Sequence, residues 1–264
     1  MTLTKKEAFK DVRLFALDMD GTVYLGNGLI EGALDFIHQV EDTGRKFIFF
    51  TNNSSRVPSF YKEKLAKMGC FVEEDQIITS GDVTIEYIKT FYPEKPVYLM
   101  GTPLLEESFI KGGIRLVQDN PEVVVASFDT TLTYEKLDKM CTFIAKGATF
   151  LSTHLDLVCP TADGFMPDCG SMCALITKST GVEPKYLGKP FPETMDMVLA
   201  ITGYKREEVA FVGDRLYTDV ATGVENGGKG FLVLTGEATM EDVAVSDVVP
   251  DCIFDSLQEM ANYL

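Results

Sequence analysis

Short apolar runs alternate along the chain with longer segments whose apolar residues recur every three or four positions. The run from Arg13 to Leu17 is followed by the polar segment Asp18-Met19-Asp20-Gly21-Thr22, and the run from Lys46 to Phe50 is followed by Thr51-Asn52-Asn53. Between the two runs, the apolar positions of residues 33–40 have helical spacing. A strand, a helix and a second strand in this order predict a parallel βαβ unit.

The same alternation continues along the chain and predicts an α/β fold built on a parallel sheet. Further strands are predicted at 97–100, 123–126, 149–152, 208–212 and 230–234, and further helices at 58–68, 82–91, 104–111, 134–146, 171–180, 193–201 and 217–225. The sequence between His154 and Pro167 reads as a loop. Because functional loops follow the carboxyl ends of parallel strands, we expect the polar residues after these strands to share one edge of the sheet.

Composition and charge narrow the class of protein. With 264 residues, of which 45% are hydrophobic, the chain can bury a large core. The formal net charge of −16 argues against a nucleic-acid surface, which needs clustered Lys and Arg. The apolar runs are far shorter than the roughly 20 residues of a membrane helix. The six cysteines form no CxxC pair and no secretory leader is recognisable, so we expect reduced thiols and a cytoplasmic protein.

Carboxylates follow two of the predicted strands. Asp18 and Asp20 are two positions apart after the first strand, and such adjacent carboxylates repel each other unless a proton or a cation intervenes. Asp214 follows the strand at 208–212, and Asp219 comes five residues later at the start of a helix. Taken alone, the first pair also fits an ordinary Asp-Gly turn, and Asp219 also fits a helix N-cap. Together they are the oxygen ligands that Mg²⁺ prefers.

Phosphate donors follow another strand and enter a later helix. Thr51, Asn52 and Asn53 offer a hydroxyl, side-chain amides and backbone N–H groups where a strand turns toward a helix, and Lys189 offers a positive charge. Each alone also fits a polar loop or a solvated lysine. These donors and the carboxylates occur in one order along the chain, each at a predicted strand end or helix entry, and four unrelated polar segments are a poor explanation of that order.

These segments together resemble the four motifs of haloacid dehalogenase (HAD) phosphatases. The matching segments are Asp18-Met19-Asp20-Gly21-Thr22-Val23, Thr51-Asn52-Asn53-Ser54, Gly188-Lys189-Pro190 and Gly213-Asp214-Arg215-Leu216-Tyr217-Thr218-Asp219. Asp-Gly-Thr-Val-Tyr and Thr-Asn-Asn-Ser are similar to the branch of NagD-type and 4-nitrophenylphosphatase-like enzymes. The resemblance implies a Rossmann-like core at 1–79 plus 187–264, interrupted by an α/β cap of type C2 at 80–186.

The resemblance also implies the roles of the core residues. Asp18 is the expected nucleophile, and Asp20 the expected general acid and then base. Mg²⁺ is the expected cofactor, bound by the Asp18 side chain, the Asp20 backbone carbonyl and Asp214, with Asp219 supporting the metal shell. The phosphoryl group is expected to contact a further set of residues: Thr51, Asn52, Asn53 and Lys189.

The activity implied is Mg²⁺-dependent hydrolysis of small-molecule phosphate monoesters through an aspartyl-phosphate, with sugar phosphates, nucleotides and aryl phosphates as candidate substrates. A phosphotransferase or phosphomutase and a catalytically silent HAD-fold binding protein are the alternatives. The cap segments at 152–156 and 168–172 resemble substrate-facing regions, and His154 and Asp156 are candidate contacts to the leaving group. Caps of this branch often contribute to dimers, so the resemblance leaves a homodimer through the cap open, while the net charge and the short apolar runs predict neither nucleic acid nor membrane as a partner.

Overall fold

The structure, a computed structural model, describes residues 4–161 and 164–264. Within them the strands are β1 (Leu14–Leu17), β2 (Tyr24–Leu25), β3 (Gly28–Leu29), β4 (Lys46–Thr51), β5 (Ile77–Thr79), β6 (Val97–Met100), β7 (Val123–Ala126), β8 (Thr149–Ser152), β9 (Val158–Thr161), β10 (Gly164–Pro167), β11 (Lys185–Tyr186), β12 (Val209–Gly213), β13 (Lys229–Val233) and β14 (Cys252–Phe254). The helices are α1 (Lys5–Ala8), α2 (Ala33–Asp42), α3 (Pro58–Lys67), α4 (Ser80–Phe91), α5 (Pro103–Lys111), α6 (Tyr134–Ala145), α7 (Cys169–Thr180), α8 (Pro192–Thr202), α9 (Ala221–Glu225), α10 (Met240–Val245) and α11 (Leu257–Ala261).

The chain divides into two compact units. The first contains the described residues up to Thr51 together with Tyr61–Ile78 and Lys189–Leu264, and the second contains Asn52–Phe60 and Thr79–Gly188. The sequence places the whole of 1–79 in the core, and that domain assignment stays a prediction. The segment Asn52–Phe60 lies in the second unit, where Asn52 hydrogen-bonds to Asp156 and Ser54 to Thr153.

The first unit is built on a parallel sheet. Among the described residues its strand order is β14-β13-β12-β1-β4-β5, and β1 pairs in parallel with both β12 and β4. All residues of β1 are buried, as expected for a central strand with both faces covered. Phenylalanines fill much of the core; the rings of Phe9 and Phe231, for example, stack with centroids 5.0 Å apart. The predicted α/β fold class is confirmed.

The second unit has its own parallel sheet, with strand order β11-β8-β7-β6 in the described residues. Successive side chains of β7 point to opposite faces. Val124 and Ala126 pack with residues of α6 and α7, whereas Val123 and Val125 pack with residues of α4 and α5. Because both faces are covered, β7 is an uninterrupted apolar run.

An antiparallel hairpin, β9–β10, lies in the segment that the sequence predicts as a loop. The loop prediction is therefore wrong for Val158–Thr161 and Gly164–Pro167, and its part at 162–163 lies outside the described residues. The hairpin side chains are largely exposed, Phe165 at 73%. A strand pair whose side chains are mostly exposed has no need for alternating polarity, and two prolines within it also favour a loop interpretation.

In the described part of the chain, no helix is long and apolar enough to span a membrane.

Candidate active site

Three neighbouring strands of the first unit bring the predicted core residues to one edge of the sheet. Leu17 at the end of β1 pairs in register with Val212 of β12 and with Phe49 of β4. Asp18 and Asp214 come directly after β1 and β12, and Thr51 is the last residue of β4. The parallel register thus places two carboxylates and a hydroxyl at adjacent strand ends, where α/β proteins bind ligands.

Lys189 joins two carboxylates of this site. Its Nζ lies 2.5 Å from Asp18 Oδ1 and 2.5 Å from Asp219 Oδ1, and it also donates to the carbonyl oxygen of Phe50 at 3.3 Å. The lysine is 2% exposed. Burial lowers the pKa of Lys189, but Asp18 and Asp219 outweigh this effect and raise it, so the lysine stays charged.

The carboxylates lie close enough to bind one cation. Asp18, Asp214 and Asp219 each offer an oxygen within 4.8 Å of the others. Burial, opposed in part by Lys189, raises the pKa of Asp18 well above its ordinary value. Burial and the neighbouring Asp219 raise the pKa of Asp214 to about 6. One lysine ammonium faces three carboxylates here, an excess of negative charge that fits a site for a divalent cation with oxygen ligands.

Protein donors orient the two carboxylates that follow β12. The backbone N–H of Glu237 donates to Asp214 Oδ2 at 2.7 Å, and the Thr22 hydroxyl lies 3.4 Å from Oδ1. Asp219 belongs to a short π-helix, Leu216–Val220, and its Oδ2 accepts the backbone N–H of Arg215 at 3.1 Å. Asp219 therefore has a protein donor on each oxygen, as expected of a carboxylate that supports a metal site.

Asp20 is exposed and lies outside the group of three carboxylates. Desolvation of its carboxyl by the surrounding protein raises the pKa of Asp20, while the charges of Lys64 and Arg215 oppose this effect. The turn after it needs glycine, because Gly21 has φ +83° and a Cβ there would lie 2.5 Å from Asp214 Oδ2.

Side chains of the segment after Thr51 form hydrogen bonds that hold the segment in place. Asn52 Nδ2 donates to Asp156 Oδ2 at 2.9 Å, and the Asn52 carbonyl accepts the Ser80 hydroxyl at 2.5 Å. Asn53 Oδ1 accepts both the backbone N–H and the hydroxyl of Ser55, at 3.0 and 2.7 Å. The sequence identifies the asparagines only as phosphate donors and gives no sign of these contacts.

His154 and Asp156, the candidate leaving-group contacts, are both buried in the second unit, at 0% and 2% exposure. The His154 ring lies between Thr153 and Asp168, with a nitrogen 2.9 Å from an oxygen of each. The sequence gives one signal for this arrangement, since Ser152-Thr153-His154 is a polar run that begins at the last residue of an otherwise mostly apolar strand. The partner Asp168 is too distant in sequence to be inferred.

An α/β sheet edge that carries a buried lysine between two carboxylates, with a third carboxylate beside them, offers fixed charges that can hold a cation and attract an anionic group. A family model described as haloacid dehalogenase-like hydrolase matches residues 15–115, and one described as HAD-hydrolase-like matches residues 186–260.

Full-length relatives agree with these family matches. An acid sugar phosphatase of Staphylococcus aureus (strain MRSA252) is 36% identical over 95% of this chain and 97% of its own. The crystal structure of 4-nitrophenylphosphatase from Thermotoga maritima is similar with a TM-score of 0.93 and 42% identity, covering 97% of this chain and 98% of that chain. NagD from E. coli K-12 is similar with a TM-score of 0.87 and 29% identity, covering 94% and 98%.

The chain belongs to the haloacid dehalogenase-like hydrolase family, in the branch of NagD and the 4-nitrophenylphosphatases. This confirms the sequence-based recognition and, at the level of enzyme class, the prediction of a phosphoric monoester hydrolase.

Proposed function

We propose that the protein is a Mg²⁺-dependent phosphatase that hydrolyses small-molecule phosphate monoesters through an aspartyl-phosphate. The observation that carries this proposal is the buried Lys189 ammonium, 2.5 Å from both Asp18 and Asp219, at the strand ends where Asp214 and Thr51 also lie. The relatives named acid sugar phosphatase and 4-nitrophenylphosphatase support sugar or aryl phosphates as the substrate class.

The proposed reaction has two displacements at phosphorus. A carboxylate oxygen of Asp18 attacks phosphorus, the bond to the leaving oxygen breaks, and the Asp20 carboxyl gives its proton to that oxygen. Asp20 then takes a proton from water as the water oxygen attacks phosphorus, and the bond to Asp18 breaks. The partial desolvation of Asp20 favours the protonated form that the first displacement needs.

Asp18, Asp214 and the Asp20 backbone carbonyl would hold Mg²⁺, with Asp219 behind them. When bound, Mg²⁺ offsets the negative charge that the carboxylates and the phosphate bring together. Lys189 supplies a fixed positive charge beside the attacking carboxylate.

Thr51 is proposed to donate its hydroxyl to the phosphoryl group. The asparagines that follow it in the chain are proposed to donate their backbone N–H groups, because the Asn52 amide and the Asn53 side-chain oxygen already bind Asp156 and Ser55. Since backbone donors are independent of the leaving group, this loop would serve many phosphate esters.

The test is hydrolysis of 4-nitrophenyl phosphate and a panel of sugar phosphates, with Mg²⁺ and with EDTA. Asp18→Asn should lower kcat by at least about 1,000-fold, because an amide is a poor nucleophile. Asp35→Asn, an exposed aspartate of α2, is the matched control and should retain full activity. Full turnover by Asp18→Asn would exclude the proposed mechanism.

The same assay separates the alternatives. A phosphotransferase or phosphomutase would yield a phosphorylated acceptor in place of inorganic phosphate, and a binding protein would yield neither. The cytoplasmic location and the homodimer through the cap stay predictions, and the dimer is tested below.

A further inference from the structure

A buried chain of hydrogen bonds runs through the second unit and begins at α7. Asp168 is the N-cap of this helix, and its Oδ1 accepts the backbone N–H of Cys169 at 2.6 Å. The same oxygen lies 2.9 Å from Nε2 of His154. Because a carboxylate only accepts, the Nε2 atom carries the hydrogen of this bond.

The chain continues from the other ring nitrogen to the segment after Thr51. His154 Nδ1 lies 2.9 Å from the Thr153 hydroxyl, which lies 2.9 Å from the Ser54 hydroxyl. Ser54 Oγ also accepts the backbone N–H of Phe128 at 3.0 Å. His154, Thr153 and Ser54 are each 0% exposed, so these bonds are shielded from competing water.

A second set of bonds holds the start of the same segment. The Asn52 side chain donates to Asp156, and the Asn52 carbonyl accepts the Ser80 hydroxyl. With Ser54 fixed at one end and Asn52 at the other, the backbone between them is held by side chains of the second unit.

The charges around His154 favour its doubly protonated form. Burial lowers the pKa of His154, but Asp168, with smaller contributions from Cys169 and Asp156, raises it to about 9. An imidazolium donates from both nitrogens, to Asp168 and to Thr153, which leaves the Thr153 hydroxyl hydrogen for Ser54 Oγ at 2.9 Å or for Cys169 Sγ at 3.7 Å. A neutral ring would need the Thr153 hydrogen for its own Nδ1.

We propose that His154 is a positioning residue for phosphoryl binding, which acts through Thr153 and Ser54 to fix the backbone at Asn52–Ser54. This inference rests on the proposed function, which assigns phosphoryl contacts to the backbone N–H groups of Asn52 and Asn53. It differs from a leaving-group contact, for which the fully buried ring has no exposed surface.

The two roles predict different kinetics. A residue that positions phosphate donors affects every substrate by the same factor, since all carry the same phosphoryl group. A residue that contacts the leaving group changes the ratio between substrates. Inorganic phosphate, which has no leaving group, should respond only to the positioning role.

The experiment compares His154→Gln, Thr153→Val and the control His38→Asn, the other histidine of the chain, which is exposed on α2. We expect His154→Gln and Thr153→Val to lower kcat/KM for 4-nitrophenyl phosphate and glucose 6-phosphate by the same factor, about 10- to 100-fold. The inhibition constant of inorganic phosphate should rise in both, and His38→Asn should match the parent protein. Thr153→Val keeps the imidazole, so an equal loss of kcat/KM in both variants would assign the effect to the hydrogen bonds that link His154, Thr153 and Ser54.

Near-ultraviolet circular dichroism establishes that each variant is folded. A folded His154→Gln whose phosphate inhibition constant is unchanged would overturn the proposal. So would a loss confined to one of the two substrates, which would instead assign His154 to the leaving group. If only Thr153→Val is folded, an unchanged phosphate inhibition constant or a loss confined to one substrate in that variant would overturn the proposal.

Nuclear magnetic resonance of ¹⁵N-labelled imidazoles provides a readout independent of turnover. His38→Asn leaves one histidine, whose titration should occur near pH 9. Adding Thr153→Val should shift its Nδ1 resonance. A midpoint near the ordinary value of about 6.5 would contradict a doubly protonated His154 at neutral pH. If the parent protein hydrolyses no ester, the proposed function fails, while this titration still reports on the chain.

Discussion

Lys189 is the residue on which the charge balance of the site depends. Its ammonium is buried and contacts Asp18 and Asp219, while Asp214 lies within 4.8 Å of both through a carboxylate oxygen. Removing one partner of a buried ion pair leaves an uncompensated charge, which typically costs about 3–5 kcal/mol.

Lys189→Met is therefore expected to reduce kcat/KM by at least about 1,000-fold and to lower the midpoint of thermal unfolding. Kinetics and thermal unfolding, each with Mg²⁺ and with EDTA, test this. Lys178→Met, at an exposed lysine of α7, should change neither quantity. Activity within tenfold of the parent protein would contradict the central role of Lys189.

Asp214 is expected to bind the metal directly. Asp214→Asn keeps the size of the side chain and removes its charge, so the Mg²⁺ concentration for half-maximal activity should rise about 10- to 100-fold. Magnesium titrations of activity measure this, with Asp35→Asn as the matched control. An unchanged Mg²⁺ requirement would exclude Asp214 as a ligand.

The residue types of the site were predictable, but their partners were not. Asp18, Asp214 and Lys189 stand in spaced motifs, which the sequence displays directly. The contact of Asn52 with Asp156 joins residues 104 positions apart, and nothing in the local pattern at either residue specifies it. Side-chain geometry of this kind depends on tertiary packing.

At the scale of elements, the central strands can be predicted from the sequence. The strands β1 and β7 are buried on both faces and are therefore continuous apolar runs. The side chains of the hairpin β9–β10 are mostly exposed, with Cys159 alone among its described residues partly buried against the core, so side-chain polarity gives little signal for its backbone pairing. The helix predicted at 217–225 begins as a π-helix, because local spacing does not distinguish the two.

The turn between β1 and β2 is expected to tolerate no side chain at Gly21. Gly21→Ala must adopt φ +83° and brings a methyl group against the Asp214 carboxylate. We expect a loss of about 1–2 kcal/mol in the free energy of unfolding from the backbone strain. Because the methyl group displaces Asp214, the Mg²⁺ concentration for half-maximal activity should also rise.

Gly44→Ala is a matched control for this variant. Gly44 has φ +75°, but apart from its chain neighbours no described atom lies within 4 Å of the position that an alanine methyl group would occupy, so the substitution shares the backbone strain and lacks the contact with Asp214. Denaturant unfolding and Mg²⁺ titration of both variants separate the two effects. Equal activity of the two variants would show that the Asp214 contact has no functional consequence.

At the scale of the whole molecule, the predicted homodimer through the cap can be tested at the β9–β10 hairpin. Val158, Phe165 and Met166 are exposed there, at 40%, 73% and 39%. If the hairpin forms the interface, light scattering should give about twice the chain mass of 29.2 kDa for the parent protein and the single mass for Phe165→Asp. Phe71→Asp, at an exposed phenylalanine of the first unit, is the control. A parent protein of single mass would rule out the dimer.

The dependence of stability on pH follows from the charges that surround His154. Its folded pKa of about 9 exceeds the ordinary value of 6.5, so this group stabilises the fold fully below pH 6.5, and the contribution is lost as the pH rises through about 9. Cys169 acts in the opposite sense. Burial raises the pKa of its thiol, but Cys173, His154 and Ser152 lower it to about 6 from 9.0, so its contribution grows over the same interval.

Between pH 6.5 and 9 the two effects should nearly cancel, and the free energy of unfolding of the parent protein should be almost constant. Cys169→Ser removes the thiol together with its smaller contribution to the pKa of His154, and because Asp168 and Asp156 still raise that pKa, stability should fall across this interval. His154→Gln, Cys169→Ser lacks both groups and should show no such decline. Denaturant unfolding at half-unit pH steps with saturating Mg²⁺ measures all three proteins. A flat profile for Cys169→Ser would mean that His154 does not carry a proton in the folded protein at neutral pH, and that Asp168 binds a neutral ring.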